Sequence, residues 1–339
     1  MAGAKIFGCC PRNVVLSRNA QGLYWISRYL ERAEHGCRLL ADQLKALEDR
    51  PVEDIDRAWR RLYAALDCKP VGGSLESNLN DEDFMLADSY TLADDLTFEP
   101  NNPDAILSCI SAARENARQV RNVIGKDMWY CLNTAYLELH KLGIEDIWSN
   151  QPGEFYLRTG DALQTFSGTA ASTMYRDNGW HFLQIGRFIE RTQLLTKLVD
   201  AQIATFPLTE PHIESDWRSL LQICEAQVAY SHRYSLEYRP GDVVNFLVSD
   251  PRLPHSVRYA LAKVSTALDV ISVHRPAVEA NRLAGRMAAL IDFDWPSRDP
   301  GDDTATRNTL QSIRNSCRRL HEDLQATYFD YEVEDRPVT

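Results

Sequence analysis

The chain has 339 residues, 44% of them hydrophobic, and a formal charge of −11 at pH 7. That apolar content is enough for a sizeable core and excludes a disordered chain, while the acidic balance argues against generic binding to a nucleic-acid backbone, which needs a basic footprint. No apolar run reaches about 18 residues, so no membrane-spanning helix is expected.

In chain order, the first stretch lacks the apolar segment of a signal peptide. Ile6-Phe7-Gly8-Cys9 has a trace of a lipoprotein cleavage site, but too little precedes it. Leu23, Ile26, Leu30, Ala33, Cys37, Leu40, Leu44 and Leu47 then recur at steps of three and four. That seam predicts one long helix over Ser17–Asp49, stopped by Pro51. A second helix is expected over Val52–Leu66, and Pro70–Ser74 is a loop. Asn101-Asn102-Pro103-Asp104 marks a helix start with Pro in the first turn, running toward Ile124. Another helix fits Asp127–Leu142. Asn150-Gln151-Pro152-Gly153 breaks the chain near its middle.

Helices are then expected over Glu154–Met174 and Asn178–Thr205, with Pro207 and Pro211 marking the next break. Shorter ones fit Ile213–Tyr238, Gly241–Val248, Ser256–Val273 and Pro276–Ile291. Pro296–Gly301 is a loop, and a last helix covers Thr304–Tyr328. No stretch alternates as a strand would. The expected fold class is all-α, an elongated multi-helix bundle. Eight scattered cysteines include no Cys-x-x-Cys, and several fall on apolar helix positions. They point to a reducing, cytoplasmic setting without disulfides. Residues 329–339, with Asp330, Glu332, Glu334 and Asp335, form an acidic tail.

Two segments match position by position. Ile26-Ser27-Arg28-Tyr29-Leu30-Glu31-Arg32-Ala33 and Ile185-Gly186-Arg187-Phe188-Ile189-Glu190-Arg191-Thr192 both read aliphatic, small, Arg, aromatic, aliphatic, Glu, Arg, small. Both follow aromatics, Tyr24 and Trp25 in one and Trp180 and Phe182 in the other. The match suggests an internal duplication within a single domain spanning 1–339, with pseudo-twofold halves over about 14–150 and 151–328.

Within each motif the charged residues are three and four apart, so they are neighbours on one helix. Their flanks are apolar nearly all round, which is the pattern of a buried helix. Buried charges must be paired and hydrogen-bonded, and the arginine fork suits that task. The two motifs hold four arginines and two glutamates, a surplus of two positive charges. Glu115 or Asp127 could balance it, or else a phosphate or carboxylate ligand. Two readings stay open: an Arg–Glu network that only fixes helix register, and an anion-binding pocket.

Further residues extend the pattern. Leu16-Ser17-Arg18-Asn19-Ala20, Leu23-Tyr24-Trp25 and Arg28 to Glu34 resemble the opening of the alpha-E family, named for helical content and a Glu-Arg motif. Arg114-Glu115-Asn116-Ala117-Arg118 with Met128-Trp129 and Leu132-Asn133 resembles its second block. Thr173-Met174, Arg176, Gly179-Trp180, Phe182-Leu183 and the second Glu-Arg motif resemble the third. Ala229 to Tyr234, Val244, Phe246-Leu247 and Asp250 to Val257 resemble the fourth. The resemblance covers roughly residues 14–325. It implies partners, a circularly permuted ATP-grasp protein and a transglutaminase-like protein, and so a role in ATP-dependent amide ligation or peptide modification. It does not say whether this chain is a catalyst, a substrate-binding subunit or a scaffold.

The residues limit the chemistry. A di-metal bundle needs Glu-x-x-His pairs, and none of the eight histidines has Glu three residues before it. Glu31, Glu34 and His35 come nearest, and read better as a solvated or supporting cluster. No phosphate loop, Gly-x-Gly-x-x-Gly or Gly-x-Ser-x-Gly elbow occurs. No cofactor is expected in this chain, and ATP chemistry would belong to a partner. The candidate ligand-binding residues are Arg28, Glu31, Arg32, Arg187, Glu190 and Arg191. Two further groups join them, Arg114, Glu115, Asn116 and Arg118 in one, Tyr230 and Arg233 in the other. A solvated helix face and core packing are the plainer readings of these two. The alternative for the whole chain is a non-catalytic helical adaptor with a purely structural Arg–Glu network.

Overall fold

A computed structural model describes residues 17–49, 52–68, 82–149, 151–209, 214–234, 237–273 and 276–330. Cys9 and Cys10, the Leu47 side chain, Pro51, the Pro70–Ser74 loop, Asn150, Pro211, Ile213 and the tail beyond Asp330 lie outside the described residues. The described residues are helical throughout their regular elements and contain no strand. No helix among them is long and apolar enough to cross a membrane.

The first long helix, α1, covers Ser17–Asp49, as its apolar seam predicts, and α2 covers Val52–Leu66. Between residues 75 and 100 the sequence suggested no element, yet α3 spans Glu82–Thr97. Its apolar residues follow no clean helical stripe, which explains the silence. α4 is Ile106–Gln119, α5 Lys126–Leu139, α6 Ile144–Trp148 and α7 Pro152–Thr173. The central α8 spans Asn178–Thr205, opened by Asp177, whose Oδ1 accepts from Gly179 N at 2.9 Å and Trp180 N at 3.3 Å. The segment expected as one helix to Tyr238 is two, α9 (Glu214–Ile223) and α10 (Gln227–Arg233). Between them Glu225 adopts φ 50°, a left-handed turn no continuous helix allows. α11 is Pro240–Ser249, α12 Val257–Ile271 and α13 Val278–Ala289. A π-helical turn, Leu290–Asp294, leads into the single turn α14 (Trp295–Ser297), and α15 (Asp303–Leu324) ends in a second π turn, Gln325–Phe329.

α1 lies along α8, α4 and α7; α8 lies also along α12, α2 and α15. Helices from either side of residue 150 therefore interleave. Contacts rise together along α1 and α8, from Leu23 beside Gly179, through Tyr24 and Ser27 beside Gly186, to Arg28 and Arg32 beside Glu190. The two central helices thus run in the same direction. Their seams are buried: Leu23, Ile26, Leu30, Ala33, Cys37, Leu40 and Leu44 on α1, and Phe182, Ile185, Ile189, Leu195 and Leu198 on α8. The six described cysteines are free thiols, and Cys37, Cys109, Cys224 and Cys317 are buried as small apolar groups.

Closest approach falls at the small position of each motif. A Cβ on Gly186 would sit 2.2 Å from the Tyr24 carbonyl oxygen and 2.4 Å from Ser27 Oγ. Ser27 Oγ itself donates to that carbonyl at 3.0 Å, so it clears the space by folding onto its own helix. Gly186→Ala is expected to destabilise by about 1–3 kcal/mol through forced separation of the helices. Gly168→Ala, which meets nothing within 4 Å, is expected to be neutral or stabilising by about 0.5–1 kcal/mol. Urea unfolding of both variants checks the contrast, and equal effects would contradict it.

Candidate functional site

The two Glu-Arg motifs meet at the α1–α8 contact and exchange partners. Glu190 of α8 accepts from both arginines of α1: Arg28 Nε at 2.6 Å and Arg32 Nε at 2.8 Å. Glu31 of α1 accepts from both arginines of α8: Arg191 Nε at 2.5 Å and Nη2 at 2.8 Å, and Arg187 Nε at 3.1 Å. Each carboxylate is thus held by arginines of the other helix, three residues before and one after its own counterpart. Glu31 and Glu190 are each 2% exposed. Burial raises the cost of their charge, but the facing arginines outweigh it and hold both carboxyls well below the ordinary range, Glu190 at about 2.

The remaining donors reach outward. Arg32 also pairs with Asp104. The sequence marked Asp104 as part of a helix start; its carboxylate instead serves the cluster, and α4 begins two residues later. Arg191 Nη1 donates to the Pro254 carbonyl at 3.1 Å, tying in the loop before α12. Arg28 donates to Gln193 Oε1 and to Tyr24 Oη, both at 3.2 Å, and lies over the Trp25 ring at 4.9 Å. Tyr24 Oη lies 2.9 Å from His321 Nδ1 of α15. Burial pushes the Tyr24 hydroxyl up to about 12 and the His321 imidazole down to about 4, so this contact is between neutral groups.

Glu115 and Asp127, named above as counter-charges, are not part of this cluster. Glu115 forms a fork with Arg118 on an exposed face of α4, and Asp127 is exposed in the first turn of α5. Of the two readings given to Glu34 and His35, a solvated or a supporting cluster, the solvated one fails, since each is 2% exposed. Glu34 Oε1 accepts from Arg38 Nη1 at 2.8 Å, and its carboxyl is pushed up by burial and by neighbouring Glu31. Burial, then Arg38, pushes His35 down to about 3; burial, then Arg191, pushes His255 well below its ordinary value. The 3.5 Å approach of His255 Nδ1 to Glu225 is therefore not an ion pair. Both histidines leave Nε2 without a partner, as Arg38 does its Nε. Nothing in the sequence marked His255 as a neighbour of the motifs, because it lies on a loop more than sixty residues from either one.

Over residues 15–329 the chain matches the family Alpha-E, described as "a predicted alpha-helical domain with a conserved ER motif". The chain belongs to the Alpha-E family. Its Glu-Arg pairs, at 31–32 and 190–191, both lie in the cluster. It is also similar to uncharacterized proteins of Mycobacterium tuberculosis and Mycobacterium bovis, 27% identical over 261 residues, a stretch covering 73% of this chain. That stretch is only 29% of each relative, so the chain matches less than a third of their length. No solved structure matches.

The other Alpha-E residues singled out from sequence do not join the motifs. Arg114 donates to Asn133 at 2.8 Å and lies over the Tyr136 ring at 4.6 Å, a link between α4 and α5. Asn116 bonds back to the Ala112 carbonyl of its own helix. Tyr230 is buried, stacks on Tyr234 at 4.7 Å and donates to the Glu237 carbonyl. Arg233 pairs with Asp250 beside an open cleft of about 340 Å³ that also includes His232 and Arg252. Among the described residues, no group of three His, Cys, Asp or Glu could hold a metal ion.

Two predictions follow from the buried charges. Glu190→Gln leaves Arg28 and Arg32 without their shared carboxylate, and is expected to cost about 3–5 kcal/mol in urea unfolding. The second concerns pH. An unfolded histidine takes up a proton below about pH 6.5, whereas folded His35 and His255 stay neutral there. The unfolded chain then binds more protons, so stability is fully present above that pH and falls as pH falls, by about 1.4 kcal/mol per pH unit for each histidine. Glu31 and Glu190 add to the same loss below the ordinary carboxylate range. Glu34, pushed up, acts in the opposite sense: its contribution is lost as pH rises. Replacing His35 by Gln should therefore flatten the stability–pH slope between about pH 6 and 4 by close to one proton. Parallel slopes for the two chains would refute the neutral buried state.

Proposed function

We propose that the chain is the anion-recognising component of an ATP-grasp-linked amide-ligation or peptide-modification system. The supporting observation is the charge left at the motif cluster. Arg28, Arg32, Arg187 and Arg191 bring four positive charges, and Glu31, Glu190 and Asp104 bring three negative ones. Arg38 and Glu34 pair with each other and do not alter the difference. One positive charge is left over, and Arg187 is where it can be used. Arg187 spends only Nε on Glu31, its side chain is 23% exposed, and its two Nη groups have no partner among the described residues. A free guanidinium edge of that kind donates two parallel hydrogen bonds to a carboxylate or a phosphate.

The rest of the proposal rests on the family resemblance. It gives the chain an ATP-grasp partner and a transglutaminase-like partner, with ATP held by the partner and no cofactor in this chain. The mycobacterial relatives support a multi-part system, since most of their length lies outside the matched stretch. A cytoplasmic setting suits both ATP-dependent partners and free thiols. The reciprocal exchange at the motifs also supports reading the two motifs as copies of one ancestral helix.

Thermal unfolding in the presence of ATP, glutamate-rich peptide or phosphopeptide is the test. Anion-dependent stabilisation is expected in the parent chain and its loss in Arg187→Ala, with circular dichroism unchanged. If no anion raises the melting temperature, the network is structural only and the chain is a helical adaptor.

A further inference from the structure

A second group of cations lies around a cavity that Gln193 lines and Arg187 does not. Three helices contribute to it. α8 presents Gln193, Lys197 and Asp200 at spacings of four and three, which is one face. α15 presents Gln311, Arg314 and Arg318 at spacings of three and four, again one face. The end of α2 closes the third side at Asp67, held in the left-handed region at φ 58°. Where these packed helices diverge, the faces line this polar, partly open cavity of about 350 Å³.

Its charges do not balance. Asp200 is shared by two arginines, Arg307 at 2.6 Å and Arg314 at 2.9 Å. Asp67 meets Lys197 at 3.4 Å. Among the described residues Arg318 has no carboxylate partner. Lys197, Arg314 and Arg318 line the cavity, and Arg307 offsets Asp200 from outside the lining; these four cations against two carboxylates leave a local charge of +2 in a chain whose formal charge is −11. Free donors also line this space. Gln193 gives its Oε1 to Arg28, which leaves its amide nitrogen as a donor with no partner among the described residues. The Lys197 side chain is 30% exposed, and Arg318 is exposed.

We infer that this cavity binds a small doubly charged oxyanion, with Lys197, Arg318 and the Gln193 amide as its donors and Arg314 as a fixed positive charge. A dianion cancels the local surplus, and the volume admits a small ligand but no macromolecule. Phosphate groups and dicarboxylates share this chemistry. The site is separate from the Arg187 edge, although Gln193 connects it to the motif through Arg28.

The experiment is isothermal titration of the full chain with inorganic phosphate, pyrophosphate and succinate, each at matched ionic strength so that screening is constant. Saturable binding by at least one of them is expected, and the three arms assign it to phosphate or to carboxylate chemistry. Arg318→Glu should weaken that binding by at least about tenfold, whereas Arg187→Ala should leave it intact. If Arg318→Glu fails to fold, Lys197→Ala carries the same expectation. No saturable binding, or binding indifferent to both cavity substitutions, would overturn the inference. Binding lost in Arg187→Ala but kept in Arg318→Glu would also overturn it, and would leave the motif reading standing.

Discussion

Two carboxylates inside a helical core impose the main constraint on this molecule. An ionised carboxylate removed from water costs several kcal/mol unless donors replace its hydration. Neither Glu31 nor Glu190 finds those donors on its own helix. Each depends on two arginines of the facing helix, so neither helix can be charged and buried without the other. A shift of α8 by one turn would move Glu190 about 5.4 Å from Arg28 and Arg32 and leave both glutamates unpaired. The exchange therefore fixes register and direction together. It also demands a close approach, which Gly186 and the inward-folded Ser27 permit.

The cluster reaches well past its two helices. Arg32 holds Asp104 ahead of α4, Arg191 holds the Pro254 carbonyl ahead of α12, and Tyr24 carries the contact from Arg28 to His321 on α15. Three segments far apart in sequence are thus anchored on one pair of buried carboxylates. Exchange of partners at the core is symmetric, but these outward contacts are not. Arg28 and Arg191 are committed to the interior, Arg32 is closed off by Asp104, and, among the described residues, Arg187 is the one motif arginine with both Nη groups unpartnered.

Much of this was legible in the sequence, and what was missed has identifiable causes. The α1 boundaries follow from a seam of steps three and four, and Pro51 ends it. The burial of the motifs could be anticipated because their flanks are apolar nearly all round. Their counter-charge could not. Asp104 looked like part of a helix start, and Glu115 looked available because it sits in a polar cluster. Short acidic side chains serve caps, surface forks and buried pairs with the same local sequence, and only tertiary placement separates them. The burial of Glu34 and His35 was missed for a related reason. Three and four residues from Glu31, they read as its polar flank, and the loop carrying His255 that packs near them leaves no local trace. The break at Glu225 escaped as well, since the apolar pattern runs through it while the backbone turns.

These contacts also say where a ligand can and cannot act. The centre of the motif cluster is closed: both carboxylates have their full complement of arginines, and inserting an anion there would set it against two buried glutamates. Any anion must approach from an edge, where a guanidinium or amide still has donors to give. The described structure offers two such edges, each one arginine away from a different buried carboxylate. One is Arg187, backed by Glu31; the other is Gln193, backed by Arg28 and opening on the cations of α15. Charge placed at either edge acts on one of the two buried carboxylates through a single arginine, on Glu31 through Arg187 and on Glu190 through Arg28. The interaction that fixes the register of the fold is then also the one through which bound charge would be felt, and structural and binding roles need not be alternatives.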